Sequence, residues 1–230
     1  MTDIYNDGTY LNANATWHEE DSPWKSRQII NLLESNSINP VSVCEVGCGA
    51  DEILNRLSDT YKDTSFFGYE ISEQAYARCV QKTKRNLCFF KDDIFTSKPE
   101  KYNVAMAIDV FEHVEDYLGF LRKFRALAKY KIFHIPLDLT MITLLMPSRI
   151  RFRREKFGHL HYFTKETAIR SLEDTGYEII DHFYTGVSID RTNSSMTDRM
   201  LNIPRKLTFH LNKDIAARTL GGYSLMVLSR

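Results

Sequence analysis

A glycine-containing turn is the first feature of this sequence that could perform chemistry. Gly47-Cys48-Gly49 follows an apolar, β-branched run that predicts a buried strand, and a helical pattern follows the turn. Glycines in such a turn let the backbone approach a ligand closely, and the helix N-terminus offers free N–H groups. The turn alone does not distinguish a ligand site from a tight turn that binds nothing.

Acidic residues recur at the ends of the predicted strands that follow. Glu70 comes 23 residues after Gly47, where a carboxylate can accept hydrogen bonds from both hydroxyls of a ribose. Asp93 ends the third strand and, with the backbone N–H of Ile94, lies where the edge of an adenine could bind. Asp109 ends the fourth strand. Each could be a helix cap or a solvated loop residue, but their recurrence at successive strand ends favours a ligand site.

Strands and helices alternate along the chain from about residue 24 to the end, and these elements must position the turn and the acids. The alternation predicts an α/β fold with a mostly parallel sheet covered on both faces. No internal repeat, low-complexity tract or linker divides the sequence, so a single domain over residues 1–230 is expected. Seven strands are predicted, at 40–46, 65–69, 87–90, 103–108, 131–135, 178–184 and 223–228.

In combination, these motifs resemble those of the class I S-adenosylmethionine-dependent methyltransferases, over about residues 41 to 185. The ubiquinone-biosynthesis-like small-molecule group is the branch that the sequence resembles most. Glu45-Val-Gly-Cys-Gly49 is similar to the first motif of the family, and Ile108-Asp-Val-Phe-Glu-His-Val114 to the motif at its fourth strand. His161-Tyr-Phe-Thr164 through Gly176-Tyr177 is similar to its final helix and strand. The resemblance implies a Rossmann-like, doubly wound, seven-stranded sheet with one antiparallel strand.

The resemblance also implies S-adenosylmethionine as the cofactor. The first motif would wrap its methionine part, Glu70 would hold the ribose, and Asp93 with Ile94 would read the adenine. One departure is Asp51, where the family often has a glycine; we expect this residue to begin the next helix rather than to contact the cofactor. The residues implied to bind the cofactor are Glu45, Gly47, Cys48, Gly49, Glu70, Ile71, Asp93, Ile94, Asp109 and Val110.

His113 and His161 are the two candidate catalytic residues, each as a general base. A base is needed only when the acceptor loses a proton during transfer. Either histidine could instead pack and form hydrogen bonds beneath the cofactor. No metal site is expected, because Gly158-His-Leu-His161 has no further ligands at suitable spacing in the sequence.

Two segments outside the core pattern are expected to build the acceptor side. Residues 1–24 contain acidic and aromatic residues but no Lys or Arg, and could either fold over the cleft as a lid or only cover the sheet edge. Residues 137–163, inserted after strand five, form a possible cap with a strongly basic stretch. Its arginine side chains suit a phosphate or carboxylate, with a solvated helix face and an RNA-binding patch as alternatives. The predicted substrate-binding residues are Arg149, Arg153 and Arg154.

The overall composition of the sequence limits which kinds of partner the protein can bind. The sequence has 30 Lys+Arg and 30 Asp+Glu, and this balance excludes a protein that coats DNA or RNA through excess positive charge. Its 4 cysteines form no C-x-x-C pair and are too few for a disulfide scaffold.

No apolar run approaches the roughly 20 residues that a membrane helix needs, and no signal-peptide pattern is visible, so a cytoplasmic protein without membrane contact is expected. The amphipathic stretch 200–211 could pair two subunits as a homodimer or pack on the sheet.

These observations predict a methyltransferase that moves a methyl group from S-adenosylmethionine to a small, anionic metabolite. Two alternatives stay open at this point. One is a protein that binds the cofactor without catalysis, and the other is an RNA methyltransferase. The sequence does not identify the acceptor or the methylated atom.

Overall fold

The computed structural model describes residues 14, 17, 19–97, 101–186 and 196–230, the side chains of 196–201 excepted. A seven-stranded sheet in the order β3-β2-β1-β4-β5-β7-β6 forms its centre. β7 is antiparallel to both of its neighbours, and the other pairs are parallel. The predicted sheet of seven strands with one antiparallel strand is therefore confirmed. The strands are β1 Ser42–Val46, β2 Ser65–Tyr69, β3 Leu87–Phe90, β4 Tyr102–Ile108, β5 Ala128–Pro136, β6 Ile179–Thr185 and β7 Ser224–Ser229.

Helices cover both faces of the sheet, and two buried apolar clusters lie between the helices and the strands. This two-sided cover explains why β4 and β7 are apolar along most of their length rather than alternating with polar residues. The helices are α1 Ser22–Ser35, α2 Ile53–Thr60, α3 Glu73–Cys79, α4 Ile94–Ser97, α5 Tyr117–Phe124, α6 Met141–Leu145, α7 Pro147–Phe157, α8 Lys165–Asp174, α9 Met196–Leu211 and α10 Lys213–Thr219.

The strand order reverses at β1, which pairs with β2 on one side and β4 on the other. In an open parallel sheet, such a reversal leaves a crevice at the carboxyl ends of the strands, because the following connections diverge to opposite faces. Val46 pairs with Tyr69, so the turns that follow β1 and β2 leave the sheet side by side. The fold therefore brings the predicted glycine turn and Glu70 to the same edge.

Gly68 in β2 explains how the turn after β1 packs so closely on the sheet. A Cβ added to Gly68 would lie 2.5 Å from Cδ1 of Phe89 and 2.9 Å from Sγ of Cys48. Real side chains do not approach this closely, so a larger residue would displace either β3 or the turn. The absence of a side chain at this position allows Cys48 to lie directly over β2.

The peripheral segments are described only in part. Most of residues 1–24, which the sequence predicts as a lid, lies outside the described residues. The predicted cap, residues 137–163, contains α6 and α7. The amphipathic stretch 200–211, which could pair two subunits or pack on the sheet, falls in α9. There, Phe209 stacks on Tyr223 at 4.7 Å between ring centroids, while Leu207 and Leu211 are exposed. Among the described residues, no helix is both long and apolar enough to cross a membrane.

Candidate active site

A cavity of about 530 Å³ opens at the carboxyl ends of β1, β2 and β4. Its volume lies within the range of about 300–1,000 Å³ that is usual for small-molecule sites. The lining is strongly acidic. Besides histidines, it contains two basic side chains, those of Lys25 and Arg153. Carboxyl groups in such a lining can accept hydrogen bonds from the N–H groups of a cationic ligand. The acidic residues of the lining are Glu19, Glu45, Asp51, Glu52, Glu70, Asp109 and Glu112.

The glycine turn forms one wall of the cavity. Gly47 and Gly49 have φ angles of +69° and +60°, in the left-handed region that residues with a Cβ disfavour. The backbone N–H groups of Gly47 and Cys48 donate to the Tyr69 carbonyl at 2.9 and 3.2 Å, which fixes the turn against the end of β2. A Cβ on Gly47 would lie 3.1 Å from Cγ2 of Val110, so the turn also packs against the segment that follows β4.

Glu70 connects this turn to the start of α3. Its side chain is buried, and Oε2 accepts a hydrogen bond from the Gly49 N–H at 2.8 Å. Oε1 accepts from the Ser72 N–H, also at 2.8 Å. Burial raises the pKa of Glu70 above its usual value, although the backbone donors oppose that rise. The neighbouring Ile71 lines the cavity with 60 % of its surface exposed, and its apolar side chain can contact a flat ligand group.

Asp109 lies between two groups that carry or can carry positive charge. Lys25 Nζ lies 2.6 Å from Oδ2, and His134 Nδ1 lies 2.6 Å from Oδ1. Nε2 of His134 lies 2.9 Å from the Thr185 hydroxyl, so both nitrogens of the buried ring are engaged. Burial alone would raise the pKa of Asp109, but the neighbouring His134 and Lys25 hold it well below its usual range. Asp109 therefore stays ionised in the folded protein.

Lys25 was not predicted from the sequence as a site residue. It lies in α1, 84 residues before its partner Asp109, and is 8 % exposed. The helical period nevertheless indicates that Lys25 is buried. The apolar face of α1 includes Ile29, and Lys25, four residues earlier, lies on the same face. A lysine on the buried face of a helix requires a partner, since an unpaired charge there is costly.

Glu112, His113 and His159 meet at the end of the cavity that α7 borders. The His113 and His159 rings meet edge to face, with centroids 4.9 Å apart. Nδ1 of His159 lies 2.7 Å from Oδ2 of Asp138, and Oδ1 of Asp138 lies 3.0 Å from Nε of Arg153. His159 and Asp138 were not predicted as site residues, because their segments have no regular period from which to tell which side chains point inward.

The cavity brings together most of the predicted cofactor residues, but not the pair predicted to read the adenine. Asp93 is exposed, and its Oδ1 accepts from the Phe95 N–H at 3.0 Å at the start of α4. The side chain of Ile94 is 1 % exposed and packs in the apolar core. Neither residue lines the cavity. The predicted residues that do are Glu45, Gly47, Cys48, Gly49, Glu70, Ile71, Asp109, Val110, His113 and Arg153.

The other predicted catalytic and substrate residues lie away from the cavity lining. Nε2 of His161 lies 2.9 Å from the Val114 carbonyl, and its ring packs on Tyr117 with centroids 4.5 Å apart. Arg149 and Arg154 belong to α7 but, unlike Arg153, do not line the cavity. His113 is thus the predicted base that faces the cavity, and Arg153 the predicted arginine that does so.

Asp51 lies just before α2 and caps its first turn, the helix-start role that the sequence favoured for it. Oδ1 accepts from the Leu54 N–H at 2.7 Å, and the backbone adopts a φ of +41° that aspartate tolerates better than most residues. Oδ2 is buried and has no hydrogen-bond partner among the described residues. Burial raises the pKa of Asp51 to about 8, although the Leu54 N–H and Lys82 oppose that rise.

We expect Asp51→Asn to stabilise the protein at pH 8 and to have no effect on stability near pH 4. A carboxyl whose folded pKa is raised destabilises the fold as the pH rises from its unfolded value to about 8, whereas the amide stays neutral and can still accept from the Leu54 N–H. The gain in free energy of unfolding at pH 8 should be about 1 kcal/mol or more. Urea unfolding at both pH values measures it.

Asp63→Asn, at an exposed loop position, is the control for removing one negative charge. A gain for Asp51→Asn that is equal at pH 4 and pH 8 would contradict the prediction.

The described part of the N-terminal segment lies along the cavity. Trp17 lines it and approaches the turn, with Cε3 3.9 Å from where a Cβ of Gly49 would be. Glu19 forms an ion pair with Lys82 at 2.7 Å, and the Asn14 side chain donates to the Lys156 carbonyl at 3.0 Å. These contacts connect the segment to α7 on one side and to the end of α3 on the other.

Comparison with solved structures shows the same fold in several methyltransferases. Magnesium protoporphyrin IX methyltransferase from Synechocystis PCC 6803, solved with bound SAH, has a TM-score of 0.66 at 16% identity, covering 98% of this chain and 97% of that one. The N-methyltransferase NodS from Bradyrhizobium japonicum WM9, in complex with SAH, has a TM-score of 0.59 at 16% identity, covering 97% and 98%. The cyclopropane synthase MmaA2 from Mycobacterium tuberculosis has a TM-score of 0.63 at 15% identity, covering 100% and 95%.

Sequence comparison identifies the family. No curated protein matches the chain. Residues 16–182 match the sequence profile of a family described as a methyltransferase domain, and this match spans both the glycine turn and the cluster around His113. The chain therefore belongs to the methyltransferase domain family and, as its sequence predicts, is an S-adenosylmethionine-dependent methyltransferase.

Proposed function

We propose that this methyltransferase acts on a small acceptor with an anionic group, which enters the cavity beside Arg153. The single observation that carries the proposal is the composition of the cavity. Its acidic wall contains the glycine turn and Glu70, whereas Arg153 faces it from α7. A cationic cofactor and an anionic acceptor would then bind against walls of opposite charge.

The residues around the glycine turn fit S-adenosylmethionine. Glu45 is 2 % exposed, lines the cavity and has one carboxylate oxygen, Oε2, without a hydrogen-bond partner among the described residues. The ammonium of a methionine group would satisfy such an oxygen. Glu70 would accept from the ribose with its remaining lone pairs, and Ile71 would contact the adenine. The turn leaves room for this cofactor, because side chains are missing at Gly47 and Gly49.

The cofactor supplies an electrophilic methyl group on its sulfonium, so the protein has to position the reactants and exclude water. Trp17 and Phe157 line the cavity and can exclude water from it. Nε of Arg153 bonds to Asp138, which holds the arginine in place, while the other N–H groups of its guanidinium remain to bind a carboxylate or phosphate. His113 lies where it could take a proton from an acceptor hydroxyl or amine.

Binding and turnover test the proposal separately. Calorimetry should show that the protein binds both S-adenosylmethionine and S-adenosylhomocysteine; binding of neither would contradict the cofactor site. Methyl transfer should then be assayed on hydroxyl and amine acceptors, each paired with its carboxylated or phosphorylated analogue. Binding without turnover on any acceptor would favour the alternative of a binding protein without catalysis.

Arg153→Ala should remove the preference for anionic acceptors and raise their KM by about ten- to a hundredfold, as expected when a charge-assisted contact is lost. Arg154→Ala is the matched control, since Arg154 is the next residue in α7 and is exposed, but does not line the cavity. An equal preference for anionic acceptors in both variants would contradict the role of Arg153.

A further inference from the structure

Three side chains that bind metals well meet at the acceptor side of the cavity. Glu112 and His113 come from the turn after β4, and His159 comes from the loop after α7. Each side chain offers one potential ligand atom, and these three atoms all lie within 4.8 Å of one another. The two segments are far apart in sequence, which is why the sequence led to the opposite expectation, that no metal site is present.

Glu112 is the residue of this cluster that most needs a partner. Its side chain has no solvent exposure, and neither carboxylate oxygen has a hydrogen-bond partner among the described residues. The same residue nevertheless lines the cavity. A carboxylate that is removed from water and accepts no hydrogen bond is strongly disfavoured, and either a proton or a cation that lies against it relieves this cost.

His159 is held in the way that metal-binding histidines usually are. Its Nδ1 bonds to Oδ2 of Asp138 at 2.7 Å, and Asp138 is itself buried and bonded to Arg153. A carboxylate partner fixes the tautomer with hydrogen on Nδ1 and raises the basicity of the other nitrogen. Nε2 of His159 is therefore left as a ligand atom, and the neighbouring His113 ring lies edge to face with it at 4.9 Å.

We propose that Glu112, His113 and His159 bind a divalent transition-metal cation, with Asp138 as a positioning residue for His159. Two imidazole nitrogens and one carboxylate oxygen suit Zn²⁺, Fe²⁺, Mn²⁺ or Co²⁺. With bonds of about 2.1 Å, ligand atoms lie no more than about 4.2 Å apart, so the side chains close by about half an ångström on binding.

Three protein ligands leave coordination positions open, as in catalytic rather than structural sites. The cation would face the place where the acceptor binds, and an oxygen of the acceptor could complete its coordination. With His113 as a ligand, the cation takes the place of His113 as the group that favours loss of the acceptor's proton. This role in acceptor binding rests on the proposed function, whereas metal binding itself does not.

Titration of the full chain with Co²⁺ tests the site, because visible absorption reports nitrogen and oxygen ligation and calorimetry gives the affinity. We expect one equivalent to bind with a Kd of about 10 µM or lower. Glu112→Gln and His159→Ala should each weaken binding by at least about a hundredfold, and Asp138→Asn by about ten- to a hundredfold. Glu115→Gln and His182→Ala, at exposed positions outside the cavity, are the matched controls and should bind Co²⁺ as the wild type does.

Binding of S-adenosylhomocysteine, measured on the same samples, shows whether each variant is folded. Should His159→Ala fail to fold, Glu112→Gln and Asp138→Asn decide the question. Lack of Co²⁺ binding by the wild type, or binding that Glu112→Gln and His159→Ala leave unchanged, would overturn the cation site. A wild type that binds Co²⁺ but not S-adenosylhomocysteine would overturn the cofactor assignment and leave the cation site standing.

Discussion

Replacement of Glu70 by alanine is expected to reduce the affinity for S-adenosylmethionine by at least about a hundredfold, because it removes a buried, hydrogen-bonded carboxylate. Glu70 does two things that alanine cannot do. It accepts from the backbone N–H groups of Gly49 and Ser72, which sets the shape of the turn, and it would accept from the ribose hydroxyls. Without it, both N–H groups lose their acceptor, and the turn loses its connection to α3.

Glu70→Gln provides an intermediate case, because its amide retains one acceptor oxygen but presents an NH₂ group to one of the two backbone donors. We expect an affinity between those of the wild type and Glu70→Ala. Glu73→Ala, at an exposed position at the start of α3, is the matched control. Calorimetry measures the affinities, and circular dichroism with thermal unfolding shows that the variants fold. A folded Glu70→Ala that binds the cofactor as the wild type does would contradict the assignment of Glu70.

The fold and the cofactor side of the cavity could be predicted because their signals are local in sequence. A strand, the turn after it and the next helix are contiguous, so the pattern around Gly47 identifies both the element and its ligand-facing turn. Glu70 follows its strand in the same way. The sequence order cannot give the direction of individual side chains, and Ile94 illustrates this, since its side chain packs in the apolar core.

The side of the cavity that α7 borders could not be predicted to the same extent, because segments that are distant in sequence build it. His159 and His161 are two residues apart in a stretch without helix or strand, so no period indicates which of them faces the cavity. Within α7, residues 149 and 153 are four apart and share a helix face, yet the cavity reaches only to Arg153. The tertiary arrangement selects one residue from each pair, and the sequence pattern does not.

Asp109→Ala is expected to lower the free energy of unfolding by about 3 kcal/mol at pH 7, because it leaves two buried side chains without their shared anion. The side chain of Lys25 is 10% exposed and that of His134 is fully buried, so both depend on Asp109 rather than on bulk water for a polar partner. The φ of +55° at Asp109 adds to the cost for alanine, whereas asparagine tolerates that conformation. Asp109→Asn should therefore lose less stability and isolates the effect of the charge.

The pH dependence of this loss has a defined direction. The folded pKa of Asp109 lies below its usual value, so its stabilising contribution is complete above the unfolded value and is lost as the pH falls through the lowered folded value. The difference between wild type and Asp109→Asn should shrink below about pH 4. Urea unfolding at neutral and acidic pH measures it, and a difference that increases towards acidic pH would contradict the prediction.

A double-mutant cycle with Lys25→Met shows whether the ion pair carries this stability. Methionine fills a similar volume without charge, so the double variant removes the buried cation together with its anion. We expect it to be more stable than Asp109→Ala alone, because the unpaired lysine is what makes the single change costly. Since Lys25 lies in α1 and Asp109 follows β4, a favourable coupling energy would mean that this pair holds the first helix against the strand end that borders the cavity. Loss of the pair would then loosen the cavity wall as well as the fold, and cofactor affinity should fall in parallel with stability.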